Sequence, residues 1–302
     1  MKNILLKLCI AILCSFTGSY TNAQNGILVL QTDFGLKDGA VSAMKGVVMG
    51  VDKKLRLFDL THEIPAFNIW EASLRLEQAA IYWPKGTVFV SVVDPGVGSK
   101  RKSVVLQTKN GYFFVSPDNG TLTIIAEQMG IKELREIDEK TNRLPGSAQS
   151  YTFHGRDVFA YTAARLASGK ISFREVGRLL PPEVVKINYQ KPILEIGIIK
   201  GAITILDIQY GNAWSNIDAK LMSEAGVKID DSLQVKIYHD NKLIYGGRML
   251  FVNTFSGVPG NEPLGYLNSL LHFSIAINMG NFAEKHKIGS GPQWTVEIKK
   301  EE

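Results

Sequence analysis

Through residues 27–168, short apolar runs alternate with stretches in which apolar side chains recur every three or four positions. The first pattern is typical of buried parallel strands, and the second predicts amphipathic helices. Strands are predicted at residues 27–31, 55–60, 87–93, 104–108 and 112–115. Helices are predicted at residues 38–51, 68–83, 122–129 and 158–168. We therefore expect a Rossmann-like α/β domain over residues 26–185.

The pattern changes at Leu180-Pro181-Pro182-Glu183, beyond which strand signals follow one another without intervening helices. These strands are predicted at residues 195–200, 202–208, 232–239, 242–245, 248–253 and 272–276. Short strands at such close spacing are typical of a small all-β barrel. We expect the proline-rich segment to be a linker and residues 192–299 to form a second, smaller β-barrel domain.

Residues 1–23 have the layout of a secretory signal peptide. Lys2 and Lys7 flank the start of an apolar core at residues 8–16, which is too short to span a bilayer, and Ala23 is a small residue suited to cleavage. We expect an exported protein, periplasmic or secreted, with no membrane association after cleavage. Both cysteines lie in this segment, so the mature protein is expected to have no disulfide or thiol chemistry.

Charge and composition argue against a nucleic-acid partner. The chain has 302 residues, of which 45% are hydrophobic and 21% charged, as in ordinary soluble proteins. Its formal net charge of +5 falls to +3 without Lys2 and Lys7, and the basic residues are scattered among acidic ones rather than gathered into a stripe.

No metal site is predicted either. His62 and Glu63 are adjacent, but their spacing matches no zinc signature and no second histidine lies nearby in the sequence. A polar pair in a loop is the favoured interpretation.

The stretch VVDPGVGSKR at residues 92–101 follows the third predicted strand. Pro95 and Gly96 predict a tight turn, because proline fixes φ and glycine accepts a positive φ. Asp94 then lies at the carboxyl end of a central strand, with Arg101 seven residues further on. Open α/β sheets bind ligands at that edge. A solvated turn is the simpler alternative, and this stretch alone does not exclude it.

Four other polar segments also have a functional and a structural interpretation. Asp33, after the first strand, either binds ribose hydroxyls or forms a local Asx turn. His154, just before a predicted helix, suits either proton relay beside the helix N-terminus or a surface position. The loop at 116–120 offers amides to a ligand or caps a helix. Residues 207–216 place polar groups and two aromatics in one predicted loop, suited to adenine stacking or to barrel packing.

Several segments occur in the order in which a known enzyme family has them: TDFG at 32–35, DLTHEI at 59–64, VVDPGVGSKR at 92–101, SPDNG at 116–120, FHGRDVF at 153–159 and DIQYGNAWSNI at 207–217. Together they closely resemble the adenosine-forming S-adenosyl-L-methionine (SAM) hydrolases. These are the SAM hydroxide adenosyltransferases, which are related to fluorinases and chlorinases. The resemblance extends from Ile27 to about Glu297.

The resemblance implies an N-terminal α/β domain and a C-terminal β-barrel in a homotrimer whose active sites lie between subunits. It implies hydrolysis of SAM to adenosine and L-methionine by water or hydroxide attack at the ribose C5′. SAM is then the substrate, and neither a metal nor an added cofactor is required. The implied catalytic residues are Asp94, Arg101 and His154. The implied substrate-binding residues are Asp33, Phe153, Asp207, Asn212, Trp214 and Ser269.

These positions have distinct implied roles. A sulfonium is already a good leaving group, so the enzyme mainly places a water behind C5′ and handles its proton. Asp94 accepts or polarises that proton while Arg101 and His154 orient the pair, and Asp33 binds the ribose hydroxyls. Asp207 and Asn212 hold the amino-acid end of the substrate near Ser269, and Phe153 and Trp214 form pocket walls.

Three positions depart from the halogenases that this family resembles. Asp94 stands where they have a tyrosine, Gly155 where they have a halide-binding serine, and Leu270 where they have an arginine. A carboxylate repels a halide and suits water, so we expect hydrolysis. The alternatives are a SAM- or adenosine-binding protein without turnover, and a SAM-dependent halogenase. Because Leu270 replaces the arginine and the protein is expected to be exported, the sequence does not identify the physiological substrate.

Overall fold

The computed structural model describes residues 25–301. They form two β-sheets, one with seven strands between residues 27 and 180 and one with eight between residues 193 and 300. The predicted signal peptide, residues 1–23, lies outside the described residues. Within the described part of the chain, none of the helices combines the length and the apolar character needed to cross a bilayer.

The first sheet is mixed. Its strands are β1 (Ile27–Thr32), β2 (Arg56–Thr61), β3 (Val88–Val92), β4 (Ser103–Thr108), β5 (Phe113–Pro117), β6 (Ile131–Glu136) and β7 (Leu179–Leu180). They lie in the order β2-β1-β3-β5-β4-β6-β7. The four strands at the β2 end are parallel, whereas β4, β6 and β7 pair antiparallel to their neighbours. The predicted α/β domain is confirmed. The strands predicted at 104–108 and 112–115 form a hairpin, and β6 and β7, which continue the sheet beyond β4, were not predicted.

Helices cover both faces of this sheet. They are α1 (Ala40–Val51), α2 (Ile69–Ala80), α3 (Thr123–Met129), a π-helix (Gly155–Ala160), α4 (Tyr161–Ala167) and a 3₁₀ turn (Phe173–Val176). Leu28 and Leu30 of β1 pack into the core that holds α1 and α4, whereas Ile27 and Val29 pack into the core that holds α2 and α3. Because both faces are buried, the strand is apolar at every one of these positions.

The predicted helix at 158–168 begins three residues earlier, as the π-helix. Its first turn is Gly155-Arg156-Asp157, and the amide N–H of Asp157 donates to the carbonyl of Phe153 at 3.0 Å. This turn is mostly polar and carries no apolar periodicity, so the sequence pattern did not include it. His154 therefore caps a π-helix, a local geometry frequent at functional sites.

The second sheet closes into a barrel. Its strands are β8 (Ile193–Glu195), β9 (Ile198–Leu206), β10 (Ala213–Asp218), β11 (Ser232–His239), β12 (Lys242–Phe251), β13 (Pro263–Leu267), β14 (His272–Ile277) and β15 (Trp294–Lys300). They are ordered β10-β14-β13-β12-β11-β15-β9-β8, and an additional β9–β10 pairing closes a seven-strand barrel, with β8 outside it. The barrel domain also contains two short helices, α5 (Ala219–Glu224) and α6 (Phe282–His286), and a 3₁₀ turn (Phe255–Gly257). The predicted all-β barrel is confirmed.

Several details of the barrel prediction are wrong. The strands predicted at 195–200 and 202–208 correspond mainly to the single strand β9, and β10, β13 and β15 were not predicted. The strands predicted at 242–245 and 248–253 are the single strand β12, because Gly246-Gly247 between them is extended rather than a turn. Residues 213–216, predicted as part of a loop with 207–212, belong to β10. Trp214 is therefore on a strand, separated from the polar segment before it.

Contacts between α2 and β9 join the two halves of the chain. The indole Nε1 of Trp70 donates to the carbonyl of Thr204 at 2.7 Å, and Arg75 donates to the carbonyl of Leu206 at 3.0 Å. Trp70 and Trp214 also share an apolar cluster with Tyr189. Trp214 thus packs where the barrel meets the α/β domain.

Candidate functional site

Two aspartates lie at the carboxyl edge of the parallel strands. Asp33 follows the end of β1 and Asp94 follows the end of β3, and the two strands are adjacent, with Thr32 paired to Val92. Carboxyl ends of neighbouring parallel strands form the usual ligand edge of an α/β sheet. The amide of Asn119, from the loop after β5, donates to the Val93 carbonyl at 2.9 Å and steadies the end of β3.

Two consecutive turns bring Arg101 back onto Asp94. The Val97 amide donates to the carbonyl of Asp94, the Ser99 amide donates to that of Gly96, and Gly98 has φ of 78°. Nε of Arg101 lies 2.9 Å and 3.1 Å from the two carboxylate oxygens, and Nη2 lies 2.5 Å from Oδ2. The side chains are only 9% and 6% exposed, so this is a buried ion pair rather than a solvated turn.

His154 joins the same cluster. Its Nδ1 is 3.0 Å from Nη2 of Arg101, and the residue is 5% exposed. Burial lowers the pKa of His154, and the positive charges of Arg101 and Arg143 lower it further, against the opposing effects of Glu139 and Asp94. The imidazole is therefore uncharged near neutral pH.

Asp94 and His154 open onto a cavity of about 250 Å³. Asp33, Phe34, Phe67 and Phe153 also line it. The carboxylate of Asp33 accepts a hydrogen bond from the Phe67 amide at 2.9 Å, whereas its own turn is capped by Thr32, whose Oγ1 accepts from the Phe34 amide. Asp33 does not form the local Asx turn, and its carboxylate is held at the cavity wall by the loop before α2.

A second cavity lies on the barrel, with a volume of about 670 Å³. Asp207, Asn212 and Tyr266 are among the residues that line it. The segment 207–212 is a closed turn in which the Asp207 amide donates to the Asn212 carbonyl at 2.9 Å. Burial, together with the Asp207 charge, raises the pKa of Tyr266 to about 12, so its phenol remains a hydrogen-bond donor. This cavity shares no lining residue with the Asp94 cavity.

The remaining two predicted ligand residues lie elsewhere. Trp214 lines a separate cavity between the barrel and the α/β domain, together with Leu270. Ser269 is exposed in the turn between β13 and β14. Within one chain, neither residue lines the cavity that contains Asp207 and Asn212. Their roles stay predictions from the resemblance.

His62 is part of the scaffold of the site. Its Nδ1 lies 2.9 Å from Oγ1 of Thr32, and its Nε2 lies 3.0 Å from Oδ1 of Asp59. The contact with Thr32 joins the end of β1 to the residue after β2. Between residues 25 and 301, no group of three or more histidine, cysteine, aspartate or glutamate side chains is arranged to hold a metal ion.

Three polar residues around His154 were not predicted from the sequence. Arg143 lies 3.0 Å from Nε2 of His154 and pairs with Glu139, and Ser103 contacts both Glu139 and Arg101. Glu139 and Arg143 lie in an irregular segment after β6 with no recognisable motif. A spacing of four residues pairs side chains on a helix, but this segment is not helical, so no local signal identifies the pair.

The domain match agrees with this architecture. Residues 28–177 match the SAM hydroxide adenosyltransferase N-terminal domain, and residues 201–295 match the C-terminal domain of the same family. The chain belongs to the SAM hydroxide adenosyltransferase family. The two matched segments coincide with the mixed sheet and the barrel, and they contain the two cavities.

Members of this family with assigned activities are similar over most of the chain. A Salinispora arenicola protein named (R)-S-adenosyl-L-methionine hydrolase is 43% identical over 266 residues, covering 88% of this chain and 95% of the relative. One of the same name from Methanocaldococcus jannaschii is 39% identical over 220 residues, covering 71% and 74%. A fluorinase from an Actinoplanes species is 26% identical over 296 residues, covering 90% and 97%.

A solved structure has the same fold. The crystal structure of an uncharacterized conserved protein from Thermotoga maritima superimposes with a TM-score of 0.81 at 34% identity, covering 90% of this chain and 99% of the other. Its agreement over most of both chains shows that the α/β domain and the barrel occur together in that protein as well.

Proposed function

We propose that this protein hydrolyses SAM to adenosine and L-methionine. The observation that carries the proposal is the convergence of Asp94, Arg101 and His154 in one buried cluster beside a cavity that also contains Asp33. Membership of the SAM hydroxide adenosyltransferase family and the names of its 43% and 39% identical relatives support it.

The main contribution of the protein to this reaction is to place the attacking water and the groups that handle its proton. A water oxygen bonds to the ribose C5′ as the bond from C5′ to sulfur breaks, and the electron pair of that bond returns to sulfur, so methionine leaves as a neutral thioether. Asp94 accepts the proton that the water loses. Arg101 holds the carboxylate in one orientation, and the uncharged His154 adds no positive charge that would repel the sulfonium. Phe34 and Phe153 form an apolar part of the same cavity wall, beside Asp94 and His154.

The active site is proposed to be completed between subunits of a homotrimer. In one chain, the Asp94 and Asp207 cavities are separate and both are open to solvent. Each is rimmed by exposed apolar side chains, Phe67 on the first and Tyr210 and Met279 on the second. Docking the α/β domain of one subunit on the barrel of the next would cover both rims and unite Asp33 and Asp94 with Asp207 and Asn212 around one ligand.

We also propose that the protein is exported. This rests on the sequence of residues 1–23 alone. Fractionation of cells that produce the full chain, with N-terminal sequencing of the recovered protein, tests it; a cytoplasmic protein that retains Met1 contradicts it.

Product analysis in water enriched in heavy oxygen tests the hydrolase function. Purified protein is incubated separately with the R and S sulfonium epimers of SAM, because the relatives are named for the R form. We expect adenosine that carries the label at its 5′-oxygen, together with methionine, and faster turnover of the R epimer. Label in a methionine-derived product instead would show that water attacks elsewhere.

The same assay decides between the alternatives. Tight binding of SAM without any adenosine identifies a binding protein. A 5′-halo-adenosine formed in the presence of chloride or fluoride identifies a halogenase. The carboxylate of Asp94 at the cavity argues against halide binding, because the carboxylate and the halide are both anions and would lie in contact.

A further inference from the structure

Five loops lie side by side at the edge of the mixed sheet where its parallel strands begin, opposite the edge that carries Asp33 and Asp94. They follow the strand order β2-β1-β3-β5-β4-β6. Because neighbouring strands are about 5 Å apart, these loops form one continuous row across six strands. Hydrogen bonds from an amide to a carbonyl, at 2.9 to 3.3 Å, link each loop to the next: Arg56 to Gly26, Asn25 to Gly86, Gly86 to Gly111, and Lys109 to Gly130.

The side chains along this row are predominantly basic. Asp52 is the one carboxylate in the loops 25–26, 52–56, 84–87, 109–111 and 130–132, and it accepts the backbone amide of Lys54 at 2.9 Å. Six exposed cations accompany it, and we call them the basic row: Lys53, Lys54, Arg56, Lys85, Lys109 and Lys132.

These positive charges are not neutralised by other parts of the described chain. Between residues 25 and 301, every carboxylate in a salt bridge is paired with a cation outside the basic row. The row contributes six positive charges, whereas the chain without residues 1–23 carries only +3, so the rest of that chain is net negative. Along the sequence the six cations are interspersed with acidic residues, and only the order of the strands gathers them on one edge.

Exposed apolar side chains lie next to the basic row. Ile81 and Tyr82 follow the end of α2, a few residues before Lys85, and Tyr82 is 71% exposed. Tyrosine is enriched at the headgroup level of lipid bilayers, where an aromatic ring meets apolar chains and its hydroxyl stays in water. Lysines with an exposed aromatic beside them therefore suit a lipid surface better than a purely charged row does.

The N-terminal segment of the chain joins the molecule at this same edge. Asn25, the first described residue, lies in the second loop of the row, and its side chain donates to the carbonyl of Lys85 at 3.0 Å. Gln24 alone separates it from residues 1–23, which contain the apolar core at 8–16. A bilayer that takes up this segment during export therefore meets the basic row before any other part of the folded domain.

We propose that the basic row is a docking surface for a bilayer with anionic phospholipid headgroups. Each lysine or arginine close to such a surface strengthens binding about fivefold. Docking by this edge turns Asp33 and Asp94 away from the lipid, so their cavity stays open to solvent. The sequence predicted no membrane association after cleavage, because apolar segments alone were considered there and a surface assembled from separate loops is not visible in the sequence.

Sedimentation of the full chain with lipid vesicles tests the proposal, whether or not the protein cleaves SAM. The vesicles are phosphatidylcholine alone, or phosphatidylcholine mixed in equal parts with phosphatidylglycerol. We expect binding to the mixed vesicles that weakens as salt is added, because salt screens exposed charges. An inserted apolar N-terminal segment would bind both kinds of vesicle, so the difference between them measures the electrostatic part.

A triple variant tests the position of the surface. Lys53→Gln, Lys54→Gln and Lys85→Gln together should weaken binding to the mixed vesicles about a hundredfold, since three charges are removed. The same positions changed to arginine should keep the binding. The matched control removes three exposed lysines of the barrel domain, which also have no salt bridge among the described residues: Lys236→Gln, Lys242→Gln and Lys285→Gln.

The control has the same net charge as the triple variant, so the comparison separates a local surface from total charge. Equal loss of binding in both, no loss in the triple variant, or no preference for the mixed vesicles overturns the proposal. Tighter binding to duplex DNA than to the mixed vesicles at the same salt also overturns it and identifies a nucleic-acid surface. Thermal unfolding checks the fold of each variant. If the triple variant does not fold, Lys109→Gln with Lys132→Gln replaces it, with an expected loss of about 25-fold.

Discussion

The guanidinium of Arg101 contacts both carboxylate oxygens of Asp94, through Nε at 2.9 Å and 3.1 Å and through Nη2 at 2.5 Å. A planar guanidinium that engages a carboxylate with two nitrogens fixes its orientation as well as its position. The orientation of the Asp94 carboxylate is therefore set before substrate binds. Because both side chains are almost fully buried, removing either one leaves an uncompensated charge, and substitutions here must preserve shape to be informative.

Asp94→Asn is expected to lower kcat by about a hundredfold or more while adenosine binding survives, because the amide keeps the shape of the side chain but accepts no proton. Rates of adenosine formation and calorimetric titration with adenosine measure the two effects. Asp240→Asn is the control, since that carboxylate is exposed on the β11–β12 turn. Equal activity of Asp94→Asn and the unsubstituted protein would remove Asp94 from the mechanism.

The rate should remain level as the pH falls through the ordinary histidine range. Burial lowers the pKa of His154 from 6.5, so the uncharged form persists below that pH. Protonation then places a third cation between Arg101 and Arg143 and disrupts the cluster. A profile of kcat/KM against pH should show its acid limb below 6.5. A limb centred above 6.5 would mean that His154 is not the group that titrates.

Folding stability should decline in the same pH range. Burial lowers the pKa of His154, His272 and His286, so the unfolded chain binds more protons than the folded chain between 6.5 and the lowered values. Stability from these groups is complete above 6.5 and is lost as the pH falls toward the folded pKa values. Thermal unfolding should give a Tm that falls below pH 6.5, and less steeply in His272→Gln.

Two inactive variants should restore activity when they are mixed, if the site is shared between subunits. Asp94→Asn damages the half on the α/β domain, and Asp207→Asn damages the half on the barrel. After unfolding and refolding together in equal amounts, about a quarter of the shared sites should combine two intact halves, because subunits associate at random. Mixing without refolding is the control. No recovery would mean that each site is formed within one chain.

Gly155→Ser should not create a halogenase. A Cβ at this position would lie 3.2 Å from two ring atoms of Phe34 and 3.4 Å from Val92, so the cavity wall must shift to admit it. We expect a lower kcat and no 5′-halo-adenosine in chloride or fluoride. Gly155→Ala is the matched variant, since it adds the same Cβ without the hydroxyl. Halogenated product from the serine variant alone would show that the hydroxyl binds halide.

Local patterns predicted the parts of the site that lie next to regular elements. Asp33 and Asp94 each follow a strand that apolar content identified, and the turn residues after Asp94 indicated the bend that returns Arg101. The cap of α2 is equally local, because the side chain of Asn68 accepts from the Glu71 amide three residues later, at 2.9 Å. Such features depend on residues within a few positions of one another, so the sequence displays them directly.

Predictions failed where a contact depends on the path of the chain. Trp214 was predicted to lie in a loop beside Asp207. It lies instead on β10, where buried and partly exposed side chains alternate, and its indole packs at the junction with the α/β domain. Arg143 and Glu139 lie in an irregular segment whose composition resembles any surface loop. Only the folding of this segment against residues 150–154 puts Arg143 beside His154.

The sequence by itself determined the two-part architecture, the strand ends that carry Asp33 and Asp94, and the family, because burial periodicity, turn chemistry and ordered motifs are local properties of the chain. The tertiary structure alone decided that His154 lies between two arginines and that Asp94 and Asp207 open onto separate cavities of one chain. Those relations join residues far apart in sequence. They depend on loop paths and domain packing, which no local pattern records.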